Sequence, residues 1–350
     1  MNENCCGDWV NSSTDRNRKR NRVSGIFFVL AMLALPGLTT VRAQTLTRKD
    51  KLVRLYVDND FFAYRKEDGG YSNGMRVDYF YHRKREPTSV LADLLIKAGD
   101  SAINVYNWSA MQVMITSNDI TREEWAKGDY PYSGSLFVAH ALNSVNPKDK
   151  YAIRTEWVAG IMGPHAYAGE VQTWFHELIG HAKPLGWHHQ MPTALLLNLN
   201  LSLEKMIFSP SENLELLAGG DIHVGTMYTG LAVQTTMRIG TMTPYFSGYI
   251  NRFSSPRKFQ AYFIVKPQLS VVFHNTLLEG SLFRDDDSRW GDDGEILSES
   301  ESNPTVLAVD FGLVLSYGPV AFSFTLNRNT GLVRDQPTKS LGNVSLYVSF

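Results

Sequence analysis

Three polar stretches, far apart along the chain, hold residue types able to do chemistry. Asp58-Asn59-Asp60 is the first, and Asp68 followed by Tyr71-Ser72-Asn73-Gly74 is the second. A hairpin joining them gathers carboxylate, amide and backbone oxygens, the donors a hard cation such as Ca²⁺ takes. The same residues would serve equally as solvated loop polarity. The third lies between Gly163 and Gly180. There Val171, Trp174, Phe175 and Leu178 recur at i, i+3, i+4 and i+7, the spacing of an amphipathic helix near 167–180. Gln172 and His176 share another face of it, one turn apart, and Gly180 is placed to stop it. A histidine on a rigid helix with a polar neighbour is a platform for a general base; an ordinary helix histidine is the alternative.

Two further patterns fail on their context. His176 and His181 flank Glu177 as in a zincin helix, but they stand five apart, and one metal needs i, i+4. Gly70-Tyr71-Ser72-Asn73-Gly74 matches G-x-S-x-G, yet Met75, Val77, Tyr79 and Tyr81 continue it as a strand, whereas a nucleophile elbow leads into a helix. The adjacent Cys5 and Cys6 are the only cysteines, so no cysteine nucleophile or disulfide scaffold exists downstream.

The elements that must position these residues are strands. Leu195, Leu197, Leu199, Leu201 and Leu203 alternate with Leu196, Asn198, Asn200, Ser202 and Glu204; Leu307 to Tyr317 and Val320 to Leu326 alternate likewise. The runs reach the roughly 9–11 residues that let a tilted strand cross a bilayer. They predict a transmembrane, antiparallel, up-and-down all-β barrel of about twelve strands. The strands are expected near 52–60, 75–83, 104–116, 133–143, 150–162, 193–207, 213–225, 228–240, 259–274, 304–317, 319–328 and 343–350. A soluble barrel with its apolar face inward shares the same period, and period alone does not choose. Alternation closing on Phe350 looks like the assembly signal of bacterial outer-membrane barrels. An even count puts both termini in the periplasm and the connections after odd strands outside. Asp60, Ser72 and the Gln172/His176 helix are then expected on one outer rim. The long 84–103 connection is the exception. Its Val90, Leu91, Leu94, Leu95 and Ile96 suggest a short amphipathic helix.

Residues 1–43 read as a cleaved export signal: Arg16 to Arg22 are basic, Val23 to Leu38 apolar, and Val41-Arg42-Ala43 a small-x-small site. The mature domain is 44–350. Over 350 residues, Lys plus Arg total 34 and Asp plus Glu 35, for a net charge of −1, which excludes a nucleic-acid partner on electrostatic grounds. Mean hydropathy of −0.20 excludes a helical membrane bundle. A monomer is expected.

Taken in order, Val57-Asp58-Asn59-Asp60-Phe61-Phe62, Asp68…Tyr71-Ser72-Asn73-Gly74, Asp129-Tyr130-Pro131-Tyr132-Ser133-Gly134, Gly163-Pro164…Gln172…His176…Gly180 and Gly186-Trp187-His188-His189-Gln190 resemble the LpxR family of outer-membrane lipid A 3′-O-deacylases. The resemblance implies a twelve-stranded barrel in the bacterial outer membrane, with a Ca²⁺-assisted esterase site and lipopolysaccharide as substrate among outer-membrane lipids. Carried over by position, the site is Asn59, Asp60, Ser72, Gln172 and His176. Neutral His176 would draw a proton from water, with Gln172 orienting ring or water and Asn59 hydrogen bonding in support. Asp60 with oxygens of Ser72 and Gly74 would hold the cation. A rival assignment makes Ser72 an acylated nucleophile. Because lipid A carries phosphates, Arg122, Lys127 and Lys183 are candidate substrate contacts. The acidic run Asp285 to Glu295 reads as a solvated loop. A passive pore or an inactive barrel is the alternative function.

Overall fold

The computed structural model describes residues 50–63, 70–83, 94–124, 128–283 and 301–350. The export signal, Asp68, Val90, Leu91, Lys127 and the acidic run lie outside them. Twelve strands, each antiparallel to both neighbours, close into a barrel. They are β1 (Lys51–Asn59), β2 (Gly70–Tyr81), β3 (Ile103–Thr116), β4 (Ser133–Asn146), β5 (Tyr151–Met162), β6 (Ala194–Ser211), β7 (Leu214–Gly225), β8 (Tyr228–Thr241), β9 (Ser255–Asn275), β10 (Thr305–Gly318), β11 (Val320–Asn329) and β12 (Lys339–Ser349). The seam pairs β1 with β12, from Leu52↔Ser349 to Asn59↔Gly342. Lys51 N–H donates to Phe350 O and Phe350 N–H returns to Lys51 O, at 3.2 and 3.0 Å.

Around most of the wall the apolar face of the strands looks outward. Leu197 on β6 is 46% exposed while its neighbour Asn198 is buried, and Val77 on β2 is 51% exposed beside the fully buried Asp78. A soluble barrel would reverse this. The inner wall carries a charged network instead. Asp78 accepts from Arg54 Nε at 2.7 Å, Arg76 Nε at 2.8 Å and Ser109 Oγ at 2.5 Å. Arg76 reaches across to Glu156 at 3.2 Å, and Arg154 pairs with the same carboxylate. Towards the end where β1 begins and β12 finishes, the β8–β9 connection folds into the lumen through a short helix, Tyr249–Phe253. Tyr249 stacks on Phe80 and Phe253 on Tyr347. Towards the other end, Val113, Ile115, Tyr130, Phe137, Met162, Leu277 and Leu278 form an apolar core.

Connections after odd strands leave from the end opposite the start of β1 and are mostly the long ones, as extracellular loops are. Two local expectations change. β2 begins at Gly70 rather than near 75, because Tyr71 and Asn73 pair with Ile115 and Met114 around a bulge at Ser72. Residues 94–96 form turns and bends rather than a helix, held by hydrogen bonds to the barrel wall. The chain also divides into two compact units. Glu170–Lys183 belongs to one, and the barrel with the flanking 163–169 and 184–193 segments to the other.

Candidate functional site at the outer rim

The rim of β1–β4 is built by a bulge. Asn59 pairs with Asn73 across the β1–β2 ladder, and Ser72 has no partner in that ladder or in the one to β3. The extra residue re-aims the strand, as bulges do beside functional sites. Tyr71 points into the lumen, where its hydroxyl donates to Asp58 at 3.2 Å. Ser72 turns the other way, hydrogen bonds Thr116 Oγ1 and lies 3.5 Å from Gly70 O. Asn59 and Asn73 occupy the same outer face by register. Asn73 Oδ1 is buried and has no hydrogen-bond partner, a state that calls for an explanation in a native protein.

The two arms of the β5–β6 connection that belong to the barrel unit, 163–169 and 184–193, are fastened to that outer face. Gln112 Nε2 donates to Ala166 O at 2.6 Å. At Gly134 a Cβ would stand 2.3 Å from the Cβ of Ala168, and at Gly186 one would stand 2.2 Å from the Tyr132 ring, so both close approaches need glycine. Gly163 N–H donates to Gly134 O at 2.8 Å, and Met191 N–H to Tyr132 O at 2.8 Å.

Asp60 lies elsewhere. It opens a 3-10 turn, Asp60–Ala63, directly after β1. With Asp58, Tyr71, Tyr130, Asn327, Asn329, Lys339 and Ser340 it lines a cavity of about 270 Å³ in the barrel mouth. Neither Ser72 nor Gly74 lines it, although the open side of Gly74 faces Tyr71 and Asp58. The structure therefore puts Asp60 and Ser72 on the same rim but not in one cavity. Asp58 is engaged by Tyr71 and by Asn343 Nδ2 at 3.0 Å. Lys339 Nζ donates to Asn118 Oδ1 at 2.6 Å and stands 5.7 Å from the Tyr130 ring centroid. Burial pushes the neighbouring Asp129 carboxyl above the ordinary aspartate value, against backbone hydrogen bonds from Tyr130 and Asn118 that pull it down. Two carboxylates with amide and hydroxyl oxygens are hard donors of the class Ca²⁺ takes. Among the described residues no three His, Cys, Asp or Glu side chains gather as a metal group. With its hydroxyl turned to Thr116, Ser72 would offer a cation its backbone oxygen only.

The helix α1 (Ala168–Ile179) matches the expected span within a residue at each end. It ends in a Schellman motif. Gly180, at φ +65°, donates to Glu177 O at 3.3 Å, and His181 N–H to His176 O at 2.8 Å. The reversed chain brings Ala182 O to His176 Nδ1, at 2.7 Å. A carbonyl only accepts, so Nδ1 is the donor in this contact, and in the neutral ring the lone pair lies on Nε2. His181 packs edge-on, its ring 4.7 Å away. Gln172 is buried, whereas Trp174 is 58% exposed, so part of the apolar stripe remains open. Arg122 and Lys183 are both exposed. Sequence reasoning missed Thr116 and Gln112 as candidate site residues. A Gly-Tyr-Ser-Asn-Gly run reads as a turn, and the bulge that sorts its side chains depends on β3.

The family model described as "Outer membrane protein LpxR" matches residues 26–350. Among solved structures, LpxR from Salmonella typhimurium is 20% identical with a TM-score of 0.67, over 85% of this chain and 100% of that one. The β domain of the Bordetella autotransporter BrkA is 8% identical with a TM-score of 0.43, over 87% of this chain and 100% of that one. An outer-membrane channel from Pseudomonas putida F1 is 9% identical with a TM-score of 0.44, over 90% and 100%. No curated protein matches the sequence.

Proposed function

The chain belongs to the LpxR family of outer-membrane proteins, and from that premise we propose that it is a lipid A deacylase, a carboxylic ester hydrolase that removes the 3′-linked acyloxyacyl group. The observation that carries the reading is the His176 tautomer, since Nδ1 bound to Ala182 O leaves Nε2 as a base. Nε2 takes a proton from water as the oxygen attacks the ester carbonyl carbon. The tetrahedral intermediate collapses, the sugar oxygen leaves, and the imidazolium returns its proton to that oxygen. A fatty acid and a free hydroxyl result. Gln172, one turn earlier, orients ring or water, and Asn59 hydrogen bonds in support. The backbone N–H at Ser72, outside both ladders, is the candidate oxyanion donor, a role worth about 3–4 kcal/mol. Of the three residues carried over for the cation, Asp60 alone lines the mouth cavity, and Ca²⁺ held there by Asp60 and the cavity's other oxygens would supply Lewis acidity to the carbonyl.

Mass spectrometry of lipid A from cells making the wild-type protein or His176→Ala tests this, alongside purified protein assayed with Ca²⁺ or with a chelator. Loss of the 3′-acyloxyacyl mass only with the wild type is expected. Unchanged lipid A in cells that hold folded wild-type barrel would overturn it. The passive-pore alternative would need no helix carrying Gln172 and His176 in the β5–β6 connection.

A further inference from the structure

The described stretch 94–102 of the β2–β3 connection lies on the outside of the barrel. Tyr106 lies between two lumen-facing residues, Val105 and Asn107, so it faces outward, yet it is only 2% exposed. Leu95 and Leu142 are buried with it, and Tyr81 and Trp157 pack at the edge. Hydrogen bonds from outward side chains hold the 94–102 strap down. Ala98 N–H donates to Ser144 Oγ at 2.8 Å. Ala98 O accepts from Asn146 at 3.0 Å and from Tyr151 at 2.8 Å, and Ile96 N–H donates to Thr155 at 3.2 Å. Farther along the same face of β4, Leu136 and Val138 are exposed and belong to the membrane-facing band. The strap therefore marks the periplasmic border of that band. It turns Leu94 and Ile96, 47% and 46% exposed, away from the wall.

Cations surround it. Arg83 lies 4.5 Å from the Tyr106 ring centroid and donates to the Tyr81 hydroxyl at 3.3 Å. Lys97 is on the strap and exposed. Asn146 ties the strap to the β4–β5 turn, because it bonds both Ala98 and Asp149. That turn exposes Lys148 and Lys150. Lys205 Nζ donates to Asp149 O at 2.5 Å and stands 5.6 Å from the Tyr151 ring centroid. These cations outnumber the nearby Asp100 and Asp149. Apolar side chains, interfacial tyrosines and ammonium groups at one bilayer border match an acyl chain, its glycerol region and a phosphate.

We propose that the 94–102 strap, with Arg83, Lys148, Lys150 and Lys205, is a binding site for an anionic phospholipid of the periplasmic leaflet. The full mature protein is folded into phosphatidylethanolamine vesicles containing a minor fraction of phosphatidylglycerol. It is then extracted, and the retained lipid is weighed by native mass spectrometry. The wild type is expected to retain phosphatidylglycerol over phosphatidylethanolamine and to release it as salt rises. Lys97→Glu/Lys148→Glu/Lys150→Glu is expected to lose at least about tenfold in that retention, whereas Arg334→Glu at the other end of the barrel keeps it. A heat-dependent gel shift checks that each barrel is folded. A wild type with no preference between the two lipids overturns the proposal whatever the variants do. So does a folded triple variant that retains phosphatidylglycerol as well as the wild type.

Discussion

At the scale of the residue, the Nδ1 bond to Ala182 suits His176 to the base role proposed for it, and the setting of Ser72 does not suit that hydroxyl to attack. Ser72 Oγ is turned to Thr116 Oγ1 and is buried. His176→Ala is therefore expected to lower kcat/KM by about 10²–10⁴-fold. Ser72→Ala should stay within about tenfold of wild type, since it keeps the backbone donor. A serine-reactive phosphonate should leave Ser72 unlabelled; an adduct there would restore the acyl-enzyme route. A second residue sets a pH response. Burial works against ionised Glu279, but hydrogen bonds from His274 and from the N–H groups of Asn275 and Ser302 outweigh it and hold the carboxyl at about 2. Its folded value lies below its unfolded one, about 4.3. The stabilisation is thus complete above the unfolded value and disappears as pH falls towards 2. Melting curves in detergent should show Glu279→Gln below wild type at pH 7, with the gap closing between pH 4.5 and 2.

At the scale of the element, the His176 tautomer invoked in the proposal depends on how α1 ends. Gly180 takes the left-handed conformation that turns Ala182 back onto His176. An alanine there costs about 1–2 kcal/mol, so Gly180→Ala should lower kcat several-fold while the barrel still folds. Gly134→Val is a sharper test, because its side chain would collide with Ala168 and force the start of α1 off the wall. A heat-modifiable but nearly inactive protein is the expected outcome; full activity would detach the connection from the chemistry. The helix was legible because its apolar residues and its stop glycine are local signals. The bulge was not, since it depends on pairing Tyr71 with Ile115 and Asn73 with Met114, residues distant in sequence. Nor was the strap, whose Leu95 looks like half of a helix pattern until Tyr106 and Leu142 bury it.

At the scale of the whole barrel, alternation made the strands readable, but not the direction each face looks. That depends on the surrounding medium: Leu197 is exposed and Asn198 buried because lipid lies outside. The inner wall that results is charged and internally paired. Asp78→Ala would leave Arg54 and Arg76 without their shared carboxylate, a loss of about 3–5 kcal/mol for a buried pair. A clear drop in Tm is expected. The wild type should pass no steady current in planar bilayers, and a stable open conductance would favour the passive reading. Closure has its own consequence. The hydrogen bonds between Lys51 and Phe350 join the opening and closing strands directly, so a nascent chain lacking its last segment exposes two raw edges to hydrocarbon, where unsatisfied amides are intolerable. Insertion must then wait until β12 has been made, and the strands before it have to be kept unfolded until they can enter the bilayer together with it.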